Sequence, residues 1–333
     1  MTTTRRAALM ILTAALALTC SACRREAEPA THAEKRLAIA VIPKGTTHIF
    51  WKSIHAGAVK AADENGVDII WQGPQKEDDR KLQIEVVQNF ISRGVDAIVL
   101  APLDDVALVN PVETAVKRGI EVVIIDSALQ SEDYRSFVAT DNYKGGKLAA
   151  KRLAHVMKQT GKALMLRYAE GSASTMKREQ GFLDGMQEFA PDIDLISTNQ
   201  YGGVTAESAF KASQNLLTRF ENADGIFCPN ESTTFGMLRA LQTAGKAGRI
   251  AFVGFDASEP LVAALEKGDI NGLTLQNPFQ MGYLGVSAAI NAVHGNPVEK
   301  RIDTGAVMVT PDNMHQPEIQ QLLSPDLDKW LDR

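Results

Sequence analysis

A doubly wound α/β fold with two similar lobes is what this 333-residue sequence predicts, and three observations predict it. Short apolar runs alternate with amphipathic helical segments almost without interruption from Leu37 onward. Runs such as AIVL (97–100) and VVII (122–125) are apolar at every position, as in parallel strands covered on both faces. The whole βα series then occurs twice, with a break near Thr140.

Taken in order, residues 37–42 read as a strand and 50–65 as a helix that Gly66 stops. The strand 67–71 precedes a helix over 78–93 that Gly94 ends, and 96–102 is the next apolar run. The helix 106–118 and the strand 121–126 complete the first series. In the second, helices are expected over 143–159, 175–189 and 206–220, with strands at 162–166 and 194–198. Residues 225–258 carry the strongest signal: an apolar run halting at Pro229 and Asn230, a helix with Phe235, Met237, Leu238 and Leu241, then a second run halting at Asp256. Two apolar strands joined by a helix make a parallel crossover unit, so Asn230 and Asp256 fall at one carboxyl edge, where open α/β sheets bind ligands. A helix over 261–267, a strand over 271–276 and a helix from Asn277 close the series, and the polar tail from Lys300 is too short for a third lobe.

The first residues, MTTTRRAALMILTAALALTCSAC, place two arginines before an apolar run and small residues, which reads as a secretory signal over 1–23. Cys23 looks like the lipid-acceptor cysteine of a lipoprotein, although Cys20 stands where such motifs carry an aliphatic residue. Cleavage by ordinary signal peptidase is the alternative. Residues 24–36 read as a flexible tether. Cys228 is left alone in the folded body, where it is expected to be a small buried hydrophobe. A length above 300 residues favours two domains, and a formal charge of −5 gives no nucleic-acid surface.

Four polar residues stand at strand carboxyl ends: Asp126, Asn230, Asp256 and Gln276. Each alone reads as a cap or turn former, Asp126 with Ser127 for instance, but four together suit a hydroxyl-rich ligand. After the first strand comes PKGTTHIFW, where Lys44 and His48 flank a loop and Phe50 and Trp51 open the helix. Aromatic faces match the apolar side of a sugar ring. A cleft Lys44 would suit an acidic sugar, the commoner alternative being a solvated lysine at the rim. Glu231 is expected to serve its helix start, where the dipole favours an acid. YKGGK (143–147) lacks the phosphate-loop spacing and is expected to be helix packing. With no GxSxG, HExxH or CxxC motif and no metal-ligand spacing of histidines, neither an enzyme nor a cofactor or metal is expected.

On these residues the chain resembles the periplasmic sugar-binding proteins of the ribose-binding type, the capture subunits of ABC importers. The resemblance runs from Leu37 to about Gly305 and is carried by NESTTFGMLRALQTAGK (230–246), VGFDAS (253–258), ATDNYKGGKLAA (139–150) and REQGF (178–182). It implies type I periplasmic-binding-protein architecture, two Rossmann-like lobes joined by crossovers near Thr140, Gln276 and Gly305. Residues 37–140 with 277–305 would form one lobe, and 141–276 with 306–333 the other. It further implies that Phe50 and Trp51 stack on sugar and that Asp126, Asn230, Asp256 and Gln276 are polar ligand contacts. The chain departs from that pattern in several places. Ser127 replaces an arginine, Met176 stands where a second arginine is expected with Lys177 or Arg178 as substitutes, and His48 and Lys44 replace an asparagine and a serine. The aromatic expected near Val204 is missing unless Tyr201 serves. Loss of two guanidinium forks argues against ribose itself. The resemblance implies a monomer in the periplasm or cell envelope, delivering a sugar to membrane permease subunits by hinge closure. A periplasmic sensor feeding a receptor or histidine kinase is the alternative.

Overall fold

The structure, a computed structural model, describes residues 36–332. The expected leader with Cys20 and Cys23, and the tether as far as Lys35, lie outside the described residues. Two six-stranded sheets organise the rest. The first holds β1 (Ala38–Ile42), β2 (Asp68–Trp71), β3 (Ala97–Leu100), β4 (Glu121–Ile125), β5 (Ser136–Ala139) and, from late in the chain, β11 (Arg301–Asp303). Its order is β11-β5-β4-β3-β1-β2, and every pair is parallel. The second holds β6 (Gly161–Arg167), β7 (Ile193–Tyr201), β8 (Gly225–Phe227), β9 (Ala251–Phe255), β10 (Gly272–Leu275) and β12 (Val307–Val309). Its order is β12-β10-β9-β8-β6-β7, with only β12 antiparallel.

Helices α1 (Ile49–Asn65), α2 (Arg80–Arg93) and α3 (Val109–Lys117) cover the first sheet, together with α9 (Pro278–Val293). Because successive strand side chains alternate between faces, Ile39, Val41, Val99 and Val123 join a core under α1 and α9. Ala40, Ile42, Ile98 and Ile124 join another under α2 and α3. The second sheet is covered by α4 (Asn142–Val156) and α5 (Ala173–Phe189) on one face. On the other lie α6 (Ala206–Arg219), α7 (Glu231–Thr243) and α8 (Glu259–Lys267). Cys228 is buried in this last core as a free thiol, the role expected of it. Gly66 and Gly94 end α1 and α2 in the left-handed conformation, as the sequence signals.

Close helix contacts explain the glycines of the 143–147 segment. A Cβ at Gly146 would lie 2.0 Å from the Arg178 carbonyl oxygen, so α4 can approach α5 only with glycine there. The same device brings α1 onto α9, where a Cβ at Gly57 would lie 1.9 Å from the Phe279 carbonyl oxygen.

The chain passes between the sheets three times: after β5, after β10 and between β11 and β12. Thr140, Gln276 and Gly305 lie in these passages. The tail then makes a further passage. Helix α10 (Pro317–Leu323) puts Ile319 and Leu323 into the second lobe's core, whereas α11 (Asp328–Leu331) packs on α1 of the first lobe. Trp330 there lies 6.4 Å from the Phe279 ring. The final helix therefore sits against the first lobe, while the sequence reading gives all of 306–333 to the second.

Candidate functional site

The strand tips of both sheets meet in one cleft. From the first lobe come Lys44, just past β1, the start of α1, Glu77, and Asp126 with Ser127 past β4. From the second come Tyr168 past β6, the N-terminal end of α5, Asn230 past β8, Asp256 past β9 and Gln276 past β10. Asp126 and Asp256 both adopt the left-handed conformation, at φ 61° and 65°. Non-glycine residues rarely sit there, and of the four among the described residues that do, these two line the cleft while Lys158 and Gln159 do not.

Lys44 is 3% exposed, so the rim alternative does not apply. Its Nζ lies 3.0 Å from Asp126 Oδ2 and donates across the cleft to Ser174 Oγ at 3.0 Å and Ser172 Oγ at 3.3 Å. Ser127 is fully buried and its Oγ accepts from the Ser174 backbone N–H at 3.0 Å. His48 caps the start of α1 without a side-chain capping bond and instead meets Glu231 across the cleft, Nδ1 to Oε2 at 3.1 Å. That hydrogen bond raises its pKa against the opposing effect of burial, with Glu77, Glu231 and Asp256 adding their negative fields. Glu231 is thus both the acidic first residue of α7 and a cross-lobe partner; its Oε1 also accepts from Ser258 Oγ at 3.0 Å.

Phe50 and Trp51 stand edge to face, centroids 5.0 Å apart. Both line the cleft, but Trp51 is only 2% exposed and belongs to the core, while Phe50 is half-buried. Trp51 Nε1 donates to Glu77 Oε1 at 2.8 Å, and the other oxygen of Glu77 accepts from Tyr168 Oη across the cleft at 2.7 Å. Neither Glu77 nor Tyr168 carries a sequence signal, since Glu77 lies in a polar loop and Tyr168 follows a strand without a motif.

Asp256 is held by Gln276 Nε2 at 2.6 Å and by the Glu231 backbone N–H at 3.3 Å. Burial pushes its carboxyl up to about 6; the nearby Arg178 and the Gln276 bond oppose this, and Asp126 and Glu231 add to it. Asn230 caps α7, its Oδ1 accepting from the Thr233 N–H at 3.3 Å, and lines the cleft as well. Gln276 Oε1 is buried with no partner among the described residues.

Met176 is 40% exposed, and Arg178, two residues further along, supplies a guanidinium to the cleft. Arg178 Nε donates to Asn142 Oδ1 at 2.7 Å and Nη1 to the Pro229 carbonyl at 3.0 Å. Nη1 also lies 3.7 Å from Asp256 Oδ2, and the guanidinium sits 4.1 Å over the Phe255 ring. Of the two substitutes the sequence offers for the arginine expected at Met176, Arg178 reaches the cleft and Lys177 does not, so one guanidinium fork is present. Tyr201 does not line the cleft; it is 38% exposed under Arg167.

About 40 Å³ is left among these side chains, roughly the share of one water molecule. Apart from Gln276 Oε1, the polar side chains described above find partners within and across the lobes in this closed arrangement. A ring-sized ligand enters only if the lobes part.

A family model described as a periplasmic binding protein domain matches residues 39–297. The ribose import binding protein of Bacillus subtilis is 28% identical over 303 residues, covering 90% of this chain and 96% of that protein. Among solved structures, a carbohydrate transporter solute-binding protein of Agrobacterium radiobacter in complex with D-arabinose is 31% identical at a TM-score of 0.85, covering 88% of this chain and all of that one. An ABC transporter solute-binding protein of Agrobacterium vitis with bound D-fucose is 35% identical at a TM-score of 0.79, covering 86% of this chain and all of that one. These relatives are substrate-binding proteins of transport systems.

Proposed function

The chain belongs to the periplasmic binding protein family, and on that premise we propose that it is the capture subunit of an ABC-type sugar importer, closing its two lobes on a small neutral sugar. The observation that carries this reading is the convergence of Asp126, Asn230, Asp256, Gln276 and Arg178, from both lobes, on one aromatic-walled cleft. Their donors and acceptors match sugar hydroxyls, and Phe50 and Trp51 offer ring faces. Four carboxylates, Glu77, Asp126, Glu231 and Asp256, face two permanent cations, Lys44 and Arg178. An excess of two negative charges with His48 neutral disfavours sugar acids and sugar phosphates, so Lys44 serves to neutralise Asp126 rather than to attract an anion.

On sugar entry the lobes part, and hydroxyls replace the bonds that Lys44, Tyr168 and Gln276 now make to protein. An analogue lacking one hydroxyl leaves a buried group unsatisfied, a loss of about 1–3 kcal/mol. The closed form is then offered, as a monomer, to permease subunits in the membrane, and nothing is turned over. Cys23 carries the lipid that tethers the protein to the envelope. Cys23→Ser should release it from the membrane fraction.

The test of capture is a thermal-shift screen of pentoses, hexoses, polyols and sugar acids, followed by calorimetry on any hit. Ligand at about 100 times its dissociation constant stabilises the fold by roughly 2.7 kcal/mol. A neutral sugar that shifts the melt and is recovered unchanged is the expected result. Stabilisation by sugar acids alone, or conversion of the bound sugar, would contradict the reading.

A further inference from the structure

Beside the cleft lies a larger cavity of about 390 Å³, within the range of small-molecule sites. Four parts of the chain wall it, one being the passage after β10 with Leu275, Gln276 and Pro278. Ile49 and Phe50 come from α1 in the first lobe, Val262 and Ala263 from α8 in the second, and Leu322 and Pro325 from the tail that crosses between them. The two spaces share Phe50, Asp256 and Gln276 among their lining residues, so they adjoin.

We propose that the preferred ligand is a glycoside, whose sugar ring occupies the cleft and whose neutral, largely apolar substituent occupies this second cavity. The inference rests on the sugar-capture reading and specifies its substrate class. Apolar side chains from each of these four parts favour a hydrocarbon or aromatic group. The ionisable residues on the walls are Asp256, Glu259 and Glu266, and among the described residues no base lines the cavity. An anionic substituent is therefore excluded by repulsion. With the lobes closed, only about 40 Å³ remains in the cleft while the neighbouring space persists.

The experiment is calorimetry on the purified protein with D-arabinose, D-ribose and D-fucose, each beside its methyl and phenyl glycosides in both anomeric forms. It is repeated with Ala263→Trp and with Ser324→Trp. Both residues are exposed on their outer side and line the cavity, so either substitution fills it from a different wall without entering a core. One phenyl glycoside is expected to bind at least tenfold tighter than its parent sugar. Each tryptophan should abolish that gain while leaving the parent sugar within twofold. A parent sugar that binds as tightly as every glycoside, or a gain that survives both variants, overturns the proposal and leaves sugar capture standing. Binding of neither parents nor glycosides would remove both.

Discussion

Replacing Lys44 by methionine tests how the cleft holds itself shut. The side chains of Lys44 and Asp126 are each only 4% exposed in the closed form, and they belong to the same lobe. What Lys44 adds between lobes is its pair of charge-assisted bonds to Ser172 and Ser174, at 3.3 and 3.0 Å. At the lower end of the range for hydrogen bonds to charged groups, about 1.5 kcal/mol each, the two contribute about 3 kcal/mol to closure. Lys44→Met also leaves Asp126 buried beside an apolar side chain whenever the lobes close, whereas the open form hydrates it. The closing equilibrium should fall by about 100-fold or more, since each 1.4 kcal/mol is a factor of ten. Adding Asp126→Asn removes the stranded charge and should recover about 2 kcal/mol of that loss. Small-angle scattering of the sugar-free wild type, the two single variants and the double variant reads the lobe separation directly, and calorimetry reads the same four proteins through sugar affinity. If the double variant is as open as Lys44→Met, with a coupling below about 0.5 kcal/mol, the two side chains are not acting as a pair and the reasoning fails.

Other perturbations follow from the same geometry. Asp256→Ala should weaken sugar binding at least 100-fold while leaving the melting temperature at pH 7.5 unchanged or higher, because a carboxyl raised to about 6 is ionised there against its preference; a large fall in melting temperature would make the residue structural instead. Between its ordinary 3.8 and about 6 the folded Asp256 holds a proton that the unfolded chain has released, so stability falls as pH rises through that window. His48, raised above 6.5, contributes stability that is complete below 6.5 and lost as pH climbs through its folded value. His55, whose pKa burial lowers, adds an opposing rise below pH 6.5, so each assignment is read against the wild-type curve: Glu231→Gln should flatten the fall above pH 6.5 and Asp256→Asn the fall below about 6, and a variant curve parallel to the wild type contradicts the corresponding assignment. Gly146→Ala should destabilise the second lobe by about 2 kcal/mol or more, because the new methyl collides with the Arg178 carbonyl, and chemical denaturation measures it.

The sequence made the sheets legible wherever a strand was both long and covered. β1, β3, β4 and β9 are runs of consecutive apolar residues, and the structure begins and ends them within two residues of expectation. Strands β5, β11 and β12 had no such signal. Each is three or four residues long, and β11 and β12 form the edges of their sheets, so half-exposed sequences such as RID satisfy them. The site shows the same division. Asp126, Asn230, Asp256 and Gln276 stood out because a polar residue ending an apolar run is visible as a change in pattern. Arg178 lies inside a helix whose sequence reads as amphipathic, and only the approach of α5 to the strand tips buries it. The choice between a cleft and a rim position for Lys44 is open in the sequence for a related reason. Lysines normally keep their charge in water, and its burial depends on Asp126, Ser172 and Ser174, which lie 82 to 130 residues away in sequence.

The character of the contacts across the cleft bears on how such a protein releases what it holds. His48 meets Glu231, Glu77 meets Tyr168, Lys44 meets two serines, Ser127 meets the backbone of Ser174, and the Asp105 N–H meets the Gly171 carbonyl at 3.1 Å. All are polar, and water can replace each when the lobes part, so a typical one adds only about 0.5–1.5 kcal/mol net. An apolar seam of the same extent would resist opening, because separation would expose its full area to water. The tail reinforces this distinction. It anchors Leu323 in the second core and Trp330 beside Phe279 in the first lobe, so the apolar contacts that bridge the lobes lie along a strap outside the cleft. Opening can then proceed by exchanging hydrogen bonds at the strand tips while the strap bends at residues 324–327. Cutting the chain after Ser324 should therefore widen the range of lobe separations seen by scattering while leaving each cleft contact intact, and an unchanged distribution would assign the tail to stability alone.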